Sequence, residues 1–295
     1  METQFIKSFF CKFFFKRKKL EYTQIGDYKI LINNDHSLPY YLKNLPYYSK
    51  NFPRIASNIL EKYSDLIIID IGANIGDTVA LTRSEMFCPI ICIEGDDYFF
   101  NILKKNLEGF KEVEAFKCFL GDESKKIAGE IVSHKGTLKI VEKKSAILNQ
   151  HIEICTLDNF LISNLQIKKA KLLKIDTDGY DLKIIRGGIN YIQETKPILF
   201  IEYDTRLLFE ANDDGLSTLN LLENLGYYSA IFYDNFGRFI LSANLQNKQQ
   251  IEQLHFYIEK GRGAFQYYDI CLFHKDDSDL AEQILQKEIA FFKNN

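Results

Sequence analysis

The stretch Leu66–Asp77, LIIIDIGANIGD, decides the fold of this chain. Its apolar first half is short enough to be one buried strand, and a pattern typical of a helix follows its second half. Between them, Gly72 and Gly76 form a turn in which backbone amides can approach a ligand closely, because glycine has no side chain to block the approach. This strand–turn–helix unit predicts a pocket of the nucleotide-binding type.

A second apolar stretch, Pro89–Ile93, ends at Glu94, about twenty residues after the glycine turn, where an acid can accept hydrogen bonds from both hydroxyls of a ribose. The spacing Gly72-x-x-x-Gly76 lacks the third glycine of the dinucleotide fingerprint, and Asp70 would repel a pyrophosphate. A carboxylate suits the cationic amino-acid part of S-adenosylmethionine. The sequence therefore predicts a methyltransferase that uses this cofactor. The alternative is an ordinary strand–turn–helix of an unrelated α/β protein.

The composition of the chain indicates how large a core it can bury and whether nucleic acid is an expected ligand. With 295 residues, of which 46% are hydrophobic, the chain can bury the core of one large domain. A net charge of -3 gives no reason to expect nucleic acid, which usually requires a basic excess. The six cysteines lie singly, without a Cys-x-x-Cys pair. They predict reduced core residues of a cytoplasmic protein rather than a zinc site or a disulfide framework.

Residues 1–20 interleave phenylalanines with lysines and one arginine. The segment is too charged to span a bilayer and lacks the small-residue cleavage site of a secretory signal. Drawn as a helix, it has most phenylalanines on one face and most lysines on the other, although Lys16 and Arg17 break this separation. Such a helix favours peripheral contact with the inner membrane face. The alternative is that it docks on the domain or on a second subunit, which leaves a homo-oligomer open.

The chain divides into residues 1–20, a cap segment at 21–58 and a main domain at 59–295. In the main domain, strand patterns alternate with helix patterns, which predicts an α/β fold with a parallel sheet and right-handed crossovers. Short β-like pieces at 127–154 predict an inserted hairpin or flap. Turn residues between the apolar runs of 228–241 predict an antiparallel hairpin at the sheet edge.

Ligands of open α/β sheets bind beyond the carboxyl ends of the strands, and four acids end the predicted strands. They are Asp70, Glu94, Asp176 and Glu202. In the stretch KIDTDG, Lys174, Asp176 and Asp178 alternate where a strand breaks into a loop. This pattern predicts that Asp176 faces the transferred methyl group. Either aspartate could instead be a helix N-cap or a turn acid.

These motifs together resemble the FkbM family of S-adenosylmethionine-dependent methyltransferases, over roughly residues 60–205. They are IDIGANIG at 69–76, Ile93-Glu94, Gly121-Asp122, TLDNF at 156–160, KIDTDG at 174–179 and LFIE at 199–202. The resemblance implies a class I methyltransferase (Rossmann-like) fold with a mostly parallel seven-stranded sheet, an antiparallel last strand and helices on both faces. It also implies O-methylation of hydroxyl groups, often on sugars or polyketide-like products. The family's Asp-Val-Glu-Gly and Thr-Leu-Asp-Asp motifs stand here as DTDG and TLDN.

From these motifs we expect three sets of site residues. The cofactor set is Asp70, Gly72, Ala73, Asn74, Gly76, Glu94 and Asp122; the substrate set is Lys174 and Glu202; the catalytic set is Asp176, Asp178 and His36. Methyl transfer requires an aligned acceptor oxygen and a group that takes its proton. Asp176 is the first candidate for this base. His36 is its rival, because an imidazole titrates near neutrality, although a lone loop histidine is often polar surface.

The predicted function is O-methylation of a sugar or glycan precursor in the cytoplasm, with a small-molecule acceptor and no nucleic acid. No cluster has metal-ligand spacing, so we expect the reaction to be independent of metal. One alternative is a non-catalytic scaffold of this fold in a glycan-assembly complex. The other is a methyltransferase for RNA or another small molecule. An RNA substrate would require a basic or aromatic surface, which the sequence does not indicate.

Overall fold

The computed structural model describes residues 19–134, 137–142, 151–259 and 265–295. The described part contains fourteen strands: β1 (Leu20–Ile25), β2 (Tyr28–Asn33), β3 (Ile68–Ile71), β4 (Ile90–Glu94), β5 (Val113–Lys117), β6 (Phe119–Gly121), β7 (Lys125–His134), β8 (Thr137–Glu142), β9 (His151–Thr156), β10 (Leu172–Ile175), β11 (Ile198–Tyr203), β12 (Tyr227–Asp234), β13 (Phe239–Asn244) and β14 (Tyr268–His274).

The same residues contain eleven α-helices: α1 (Leu38–Asn44), α2 (Asn51–Lys62), α3 (Asp77–Glu85), α4 (Asp97–Leu107), α5 (Leu157–Ile162), α6 (Asp181–Gly187), α7 (Ile189–Thr195), α8 (Thr205–Glu210), α9 (Gly215–Asn224), α10 (Lys248–Glu259) and α11 (Ser278–Asn294). Several begin at a side-chain cap. Asp96 accepts hydrogen bonds from the Tyr98 and Phe99 amides at α4, and Asp204 accepts from two amides at α8. These caps satisfy donors that the first turn of a helix leaves free.

Eight strands form the central sheet, in the order β13-β12-β14-β11-β10-β3-β4-β5. Strands β11, β10, β3, β4 and β5 are parallel to one another, and β14 runs antiparallel to both of its neighbours. The predicted mostly parallel sheet with an antiparallel last strand is therefore confirmed. The predicted number of seven strands is corrected to eight, because the edge hairpin predicted at 228–241 contributes both β12 and β13.

The four residues of β3 and the four of β10 are all buried, as expected of parallel strands with helices on both faces. Alternate residues face two separate apolar clusters: Ile69 and Ile71 belong to one, and Ile68 belongs to the other. The two clusters fix which residues at the carboxyl edge point to each side of the sheet. Asp70 alternates with Ile69 and Ile71 and so lies on the side of Ile68.

The cap segment packs directly on the main sheet's helices. A buried cluster joins Ile25, Ile30 and Ile32 of the β1–β2 hairpin to Ala80 of α3 and Phe99 of α4. The cap therefore covers the helices that follow β3 and β4. The division of the chain at residues 20 and 58 stays a prediction.

β7 pairs antiparallel with β8 in a hairpin that overlaps the insertion predicted at 127–154. It belongs to a separate sheet with the order β6-β9-β7-β8, which begins directly after the end of β5. Of the predicted N-terminal helix at 1–20, residues 1–18 lie outside the described residues, and Leu20 already belongs to β1. Among the helices that the structure describes, none has both the length and the apolarity needed to cross a bilayer.

The turn after β3 depends on a close backbone contact at Gly72. Its φ is +81°, and a Cβ atom placed there would lie 1.9 Å from the backbone oxygen of Asp176. Asn74 also has a positive φ, of 48°. A side chain at position 72 would thus push apart the ends of β3 and β10, in a backbone conformation that L residues rarely adopt.

We expect Gly72→Ala to destabilise the fold by about 2 kcal/mol or more, because it adds backbone strain to a steric clash. Gly109→Ala is the matched control, since a Cβ at Gly109 meets no atom within 4 Å. Urea denaturation of both variants measures the difference. Equal free energies of unfolding for the two variants would contradict the close contact.

Candidate active site

A cavity of about 580 Å³ opens at the carboxyl ends of β3, β4 and β10. Five of the predicted site residues line it: Gly72, Asn74, Glu94, Asp176 and Asp178. The cavity therefore brings the glycine turn, the acid that ends the second strand and the two aspartates of the DTDG motif into one space. This volume is within the usual range for small-molecule sites.

Glu94 ends β4 and is held by backbone amides from both sides. Its Oε2 accepts a hydrogen bond from the Asn74 amide at 2.9 Å, and its Oε1 accepts one from the Asp96 amide at 2.8 Å. Burial raises the pKa of Glu94 to about 7, although these amides lower it. Each carboxylate oxygen can accept more than one hydrogen bond, so the fixed carboxylate can also bind hydroxyl groups in the cavity.

The loop after β10 is shaped by Asp181, which the sequence analysis did not single out. The Asp181 carboxylate accepts hydrogen bonds from the amides of Thr177 at 2.9 Å and Gly179 at 3.0 Å. Asp178 lies between them with a φ of +52°. Burial and then the nearby Asp176 raise the pKa of Asp181 to about 6. The sequence feature that could have predicted this role is the position of Asp181 two residues after Gly179, where a carboxylate can accept hydrogen bonds from the amides of the preceding loop.

Lys174 is buried and lies between two aspartates. Its Nζ is 3.3 Å from Asp70 Oδ1 and 3.1 Å from Asp176 Oδ2. Burial alone would lower the pKa of Lys174, but the charges of Asp176 and Asp70 raise it well above its usual range. Burial also raises the pKa of Asp70, and Lys174 opposes this shift. Asp176 is thus oriented from below by a fixed positive charge, while its own side chain is 49% exposed.

The Asp70 carboxylate does not reach the large cavity. It is fully buried on the other side of β3 and pairs with Lys174 beneath Asp176, so a direct contact of Asp70 with the cofactor stays a prediction. Ala73 is buried under the turn, and Gly76 forms the start of α3 with a φ of +88°. Asp122 lies outside the cavity, where Arg186 pairs with it at 3.4 Å.

His36 and Glu202 occupy positions that the sequence did not specify. His36 Nδ1 accepts a hydrogen bond from the Leu38 amide at 3.1 Å, and its ring packs edge-on against Phe99. Phe99 lines the large cavity, whereas His36 lies behind it. Glu202 and Lys174 line a smaller cavity on the far side of Asp176. The structure therefore places Asp176, rather than His36, at the meeting point of the two spaces.

Side chains that no sequence motif predicts complete the wall of the large cavity. Phe119 and Lys125 come from the small sheet, and Tyr180 and Lys183 come from the start of α6. The Lys183 Nζ donates a hydrogen bond to the Ala211 carbonyl at 2.8 Å and lies 4.8 Å from the Tyr180 ring centroid. These side chains meet only through tertiary packing, because their elements are far apart in the chain.

We expect Lys174→Met to destabilise the protein by about 3–5 kcal/mol, because it leaves Asp70 buried without a positive partner. The double variant Asp70→Asn, Lys174→Met should recover much of that loss. Lys248→Met is the control: its partner Glu223 is 3.2 Å away at the surface, and such pairs contribute about 1 kcal/mol or less. Chemical denaturation compares the three variants. A small loss for Lys174→Met would show that the buried pair does not stabilise the strand ends.

The strand order, with one antiparallel strand beside a parallel core and a cavity at the carboxyl ends, defines the class I methyltransferase fold. The family described as the methyltransferase FkbM domain matches residues 70–228, which is more than half of the chain. The chain belongs to this family. The match begins within β3, contains β4 to β11 and ends at the start of β12.

Three solved structures illustrate the similarity. The methyltransferase FkbM from Methylobacillus flagellatus KT is 19% identical, with a TM-score of 0.35; the match covers 47% of this chain and 33% of that one, so this chain spans a third of its length. The precorrin-6y C5,15-methyltransferase from Geobacter metallireducens GS-15 is 13% identical, with coverages of 72% and 80% and a TM-score of 0.36. The tRNA (uracil-54, C5)-methyltransferase of Pyrococcus abyssi, in complex with S-adenosyl-L-homocysteine, is 10% identical, with coverages of 86% and 44% and a TM-score of 0.38. The comparison with curated proteins found no match.

Proposed function

We propose that this protein is an S-adenosylmethionine-dependent O-methyltransferase that acts on a hydroxyl group of a sugar or glycan precursor. The observation that carries the proposal is the single cavity in which Gly72, Glu94 and Asp176 meet. A nucleoside anchor and a proton acceptor in one space are the two parts that this reaction requires. Membership of the FkbM family supports the same chemistry.

The residues of the large cavity fit the cofactor. Glu94 presents a fixed carboxylate to the ribose hydroxyls, and the glycine turn leaves its backbone open to a ligand. Phe119 and Leu120 line the part of the cavity beyond Glu94, where an apolar wall suits an adenine ring. When bound, S-adenosylmethionine supplies a methyl group on a positively charged sulfur.

The protein's own contribution to the transfer is to position the acceptor hydroxyl and remove its proton. Asp176 would accept a hydrogen bond from the acceptor hydroxyl and orient it for the transfer. During transfer of the methyl group that the bound cofactor would supply, the Asp176 carboxylate would take the proton of the acceptor hydroxyl. Lys174, at 3.1 Å, holds this carboxylate in place, and the Asp181-bonded loop fixes the backbone that follows it.

The pKa of Glu94, about 7, makes cofactor binding dependent on pH. Only the ionised carboxylate accepts hydrogen bonds from both ribose hydroxyls, and its ionised fraction falls as pH drops through 7. We expect the affinity for S-adenosylmethionine to be up to about tenfold lower at pH 6 than at pH 8. Isothermal titration calorimetry at both values measures this. In Glu94→Gln the affinity should be lower, and the pH dependence should be lost.

We expect Asp176→Asn to lower the rate of methyl transfer by about 10² to 10⁴, with little change in cofactor affinity, because it keeps the shape but removes the base. Turnover with radiolabelled cofactor on sugar acceptors measures the rate. Asp97→Asn, at an exposed carboxylate paired with Lys117, is the control and should be normal. If His36→Ala abolished turnover while Asp176→Asn preserved it, His36 would be the base.

Binding of S-adenosylmethionine without transfer to any hydroxyl would favour the scaffold alternative. Mass spectrometry of glycans from cells with and without the protein identifies the acceptor through the loss of one methyl group. Cytoplasmic location and contact of residues 1–20 with the inner membrane face remain part of the proposal. Sedimentation of the full chain and of a chain that starts after Leu20 with anionic vesicles tests the membrane contact.

A further inference from the structure

A second, smaller cavity of about 80 Å³ lies on the far side of Asp176 from the glycine turn. It is bounded by the cap segment, the start of α3 and the ends of β10, β11 and β14. Four carboxyl groups line it: Asp77, Asp176, Glu202 and Asp269. Because Asp176 also lines the large cavity, a ligand in the small cavity would lie next to the proposed reaction centre.

The carboxyl groups of this cavity are poorly neutralised by the protein. Among the described residues that line it, Lys174 is the one basic side chain, and its charge is already shared between Asp70 and Asp176. Asp269 accepts a hydrogen bond from the Asn51 side-chain amide at 2.9 Å. Glu202 Oε2 is shielded from solvent and has no hydrogen-bond partner.

Burial and the neighbouring acids disfavour the ionised form of the carboxyl groups in this cavity. Burial, and then the charge of Asp176, raises the pKa of Glu202 well above its usual range. Burial also raises the pKa of Asp269 to about 7, although its bond to Asn51 opposes the shift. A buried acceptor oxygen without a hydrogen-bond donor is destabilising, and so is a buried negative charge without a positive partner. A ligand with a positively charged donor group would remove both penalties.

The size of the cavity limits what can enter. At about 80 Å³, against about 580 Å³ for the large cavity, the space suits a small group such as an ammonium with a neighbouring carbon rather than a whole sugar ring. Tyr48 and Tyr267 narrow the space between the cap segment and β14. The rest of the acceptor would therefore lie outside it, toward Asp176.

We propose that this small cavity binds the protonated amine of the methyl acceptor, so that the substrate is an amino sugar whose amine lies in the cavity and whose neighbouring hydroxyl lies at Asp176. This inference rests on the proposed function and narrows its substrate class. An acceptor with a phosphate or a carboxylate at the position of the amine would add negative charge to a cavity lined by four carboxyl groups, whose ionisation burial already disfavours.

The cofactor's own amino group is the competing occupant. Glu202 and Asp269 lie on β11 and β14, which are three and four strands from β4 and Glu94. At the usual spacing of about 4.8 Å, these strands are roughly 14 and 19 Å from β4 across the sheet. The two acids therefore lie on the side of Asp176 that faces away from the ribose anchor, where an acceptor would approach.

The test titrates the full chain near neutral pH with D-glucosamine, N-acetyl-D-glucosamine and D-glucose, with and without S-adenosylhomocysteine. Ligand-observed NMR measures each affinity. We expect glucosamine to bind at least tenfold more tightly than N-acetylglucosamine, whose amide is neutral, because its ammonium donates charge-assisted hydrogen bonds. Glu202→Gln and Asp269→Asn should each reduce this preference severalfold. Glu61→Gln, at an exposed carboxylate paired with Lys287, is the matched control and should retain it.

Equal affinities for glucosamine and N-acetylglucosamine in the unmodified chain would overturn the inference. So would a Glu202→Gln variant that loses affinity for S-adenosylhomocysteine while keeping the sugar preference, since the cavity would then hold the cofactor's amino-acid end. If S-adenosylhomocysteine binds and no preference is seen, the inference fails and the proposed function stands. If S-adenosylhomocysteine does not bind, the proposed function fails, and the titrations without it still report on the cavity. Thermal melting checks that each variant is folded.

Discussion

The buried ammonium group of Lys174 holds the centre of this molecule together. It bridges Asp70 at the end of β3 and Asp176 at the end of β10, two parallel strands that are neighbours in the sheet. Neither Asp70 nor Lys174 would be stable alone at this depth, because a buried charge without a partner costs several kcal/mol. The arrangement therefore fixes the side chain of Asp176 from below and leaves its outer oxygen for chemistry.

A second constraint acts through the backbone. Gly72 brings the turn after β3 against the backbone oxygen of Asp176, and the Asn74 amide bonds to Glu94. The ends of three strands, β3, β4 and β10, are thereby held close together, and further backbone hydrogen bonds join them, such as that from the Asp176 amide to the Ile71 carbonyl at 3.0 Å. The large cavity is the space that remains between them. Its shape depends on the absence of a side chain as much as on the side chains that are present.

The two cavities differ in the charged side chains that line them. The large one is lined by Glu94, apolar residues and the DTDG loop, whereas the small one is lined by four acids and, among its described residues, one basic side chain, Lys174. Asp176 belongs to both. A residue in this position can contact a ligand in either cavity.

The sequence by itself determined the alternation of strands and helices, the glycine turn, and the acids Glu94 and Asp176, because strand-ending residues of a parallel sheet must meet at one edge. It also determined the edge hairpin, through its turn residues. Only the tertiary structure decided that Asp70 faces Lys174 instead of the large cavity. The side of the sheet to which a strand residue points depends on which apolar cluster packs against each face. The same holds for Asp181, Asp269 and Tyr48. Their roles arise from contacts between segments far apart in the chain, which no local pattern records.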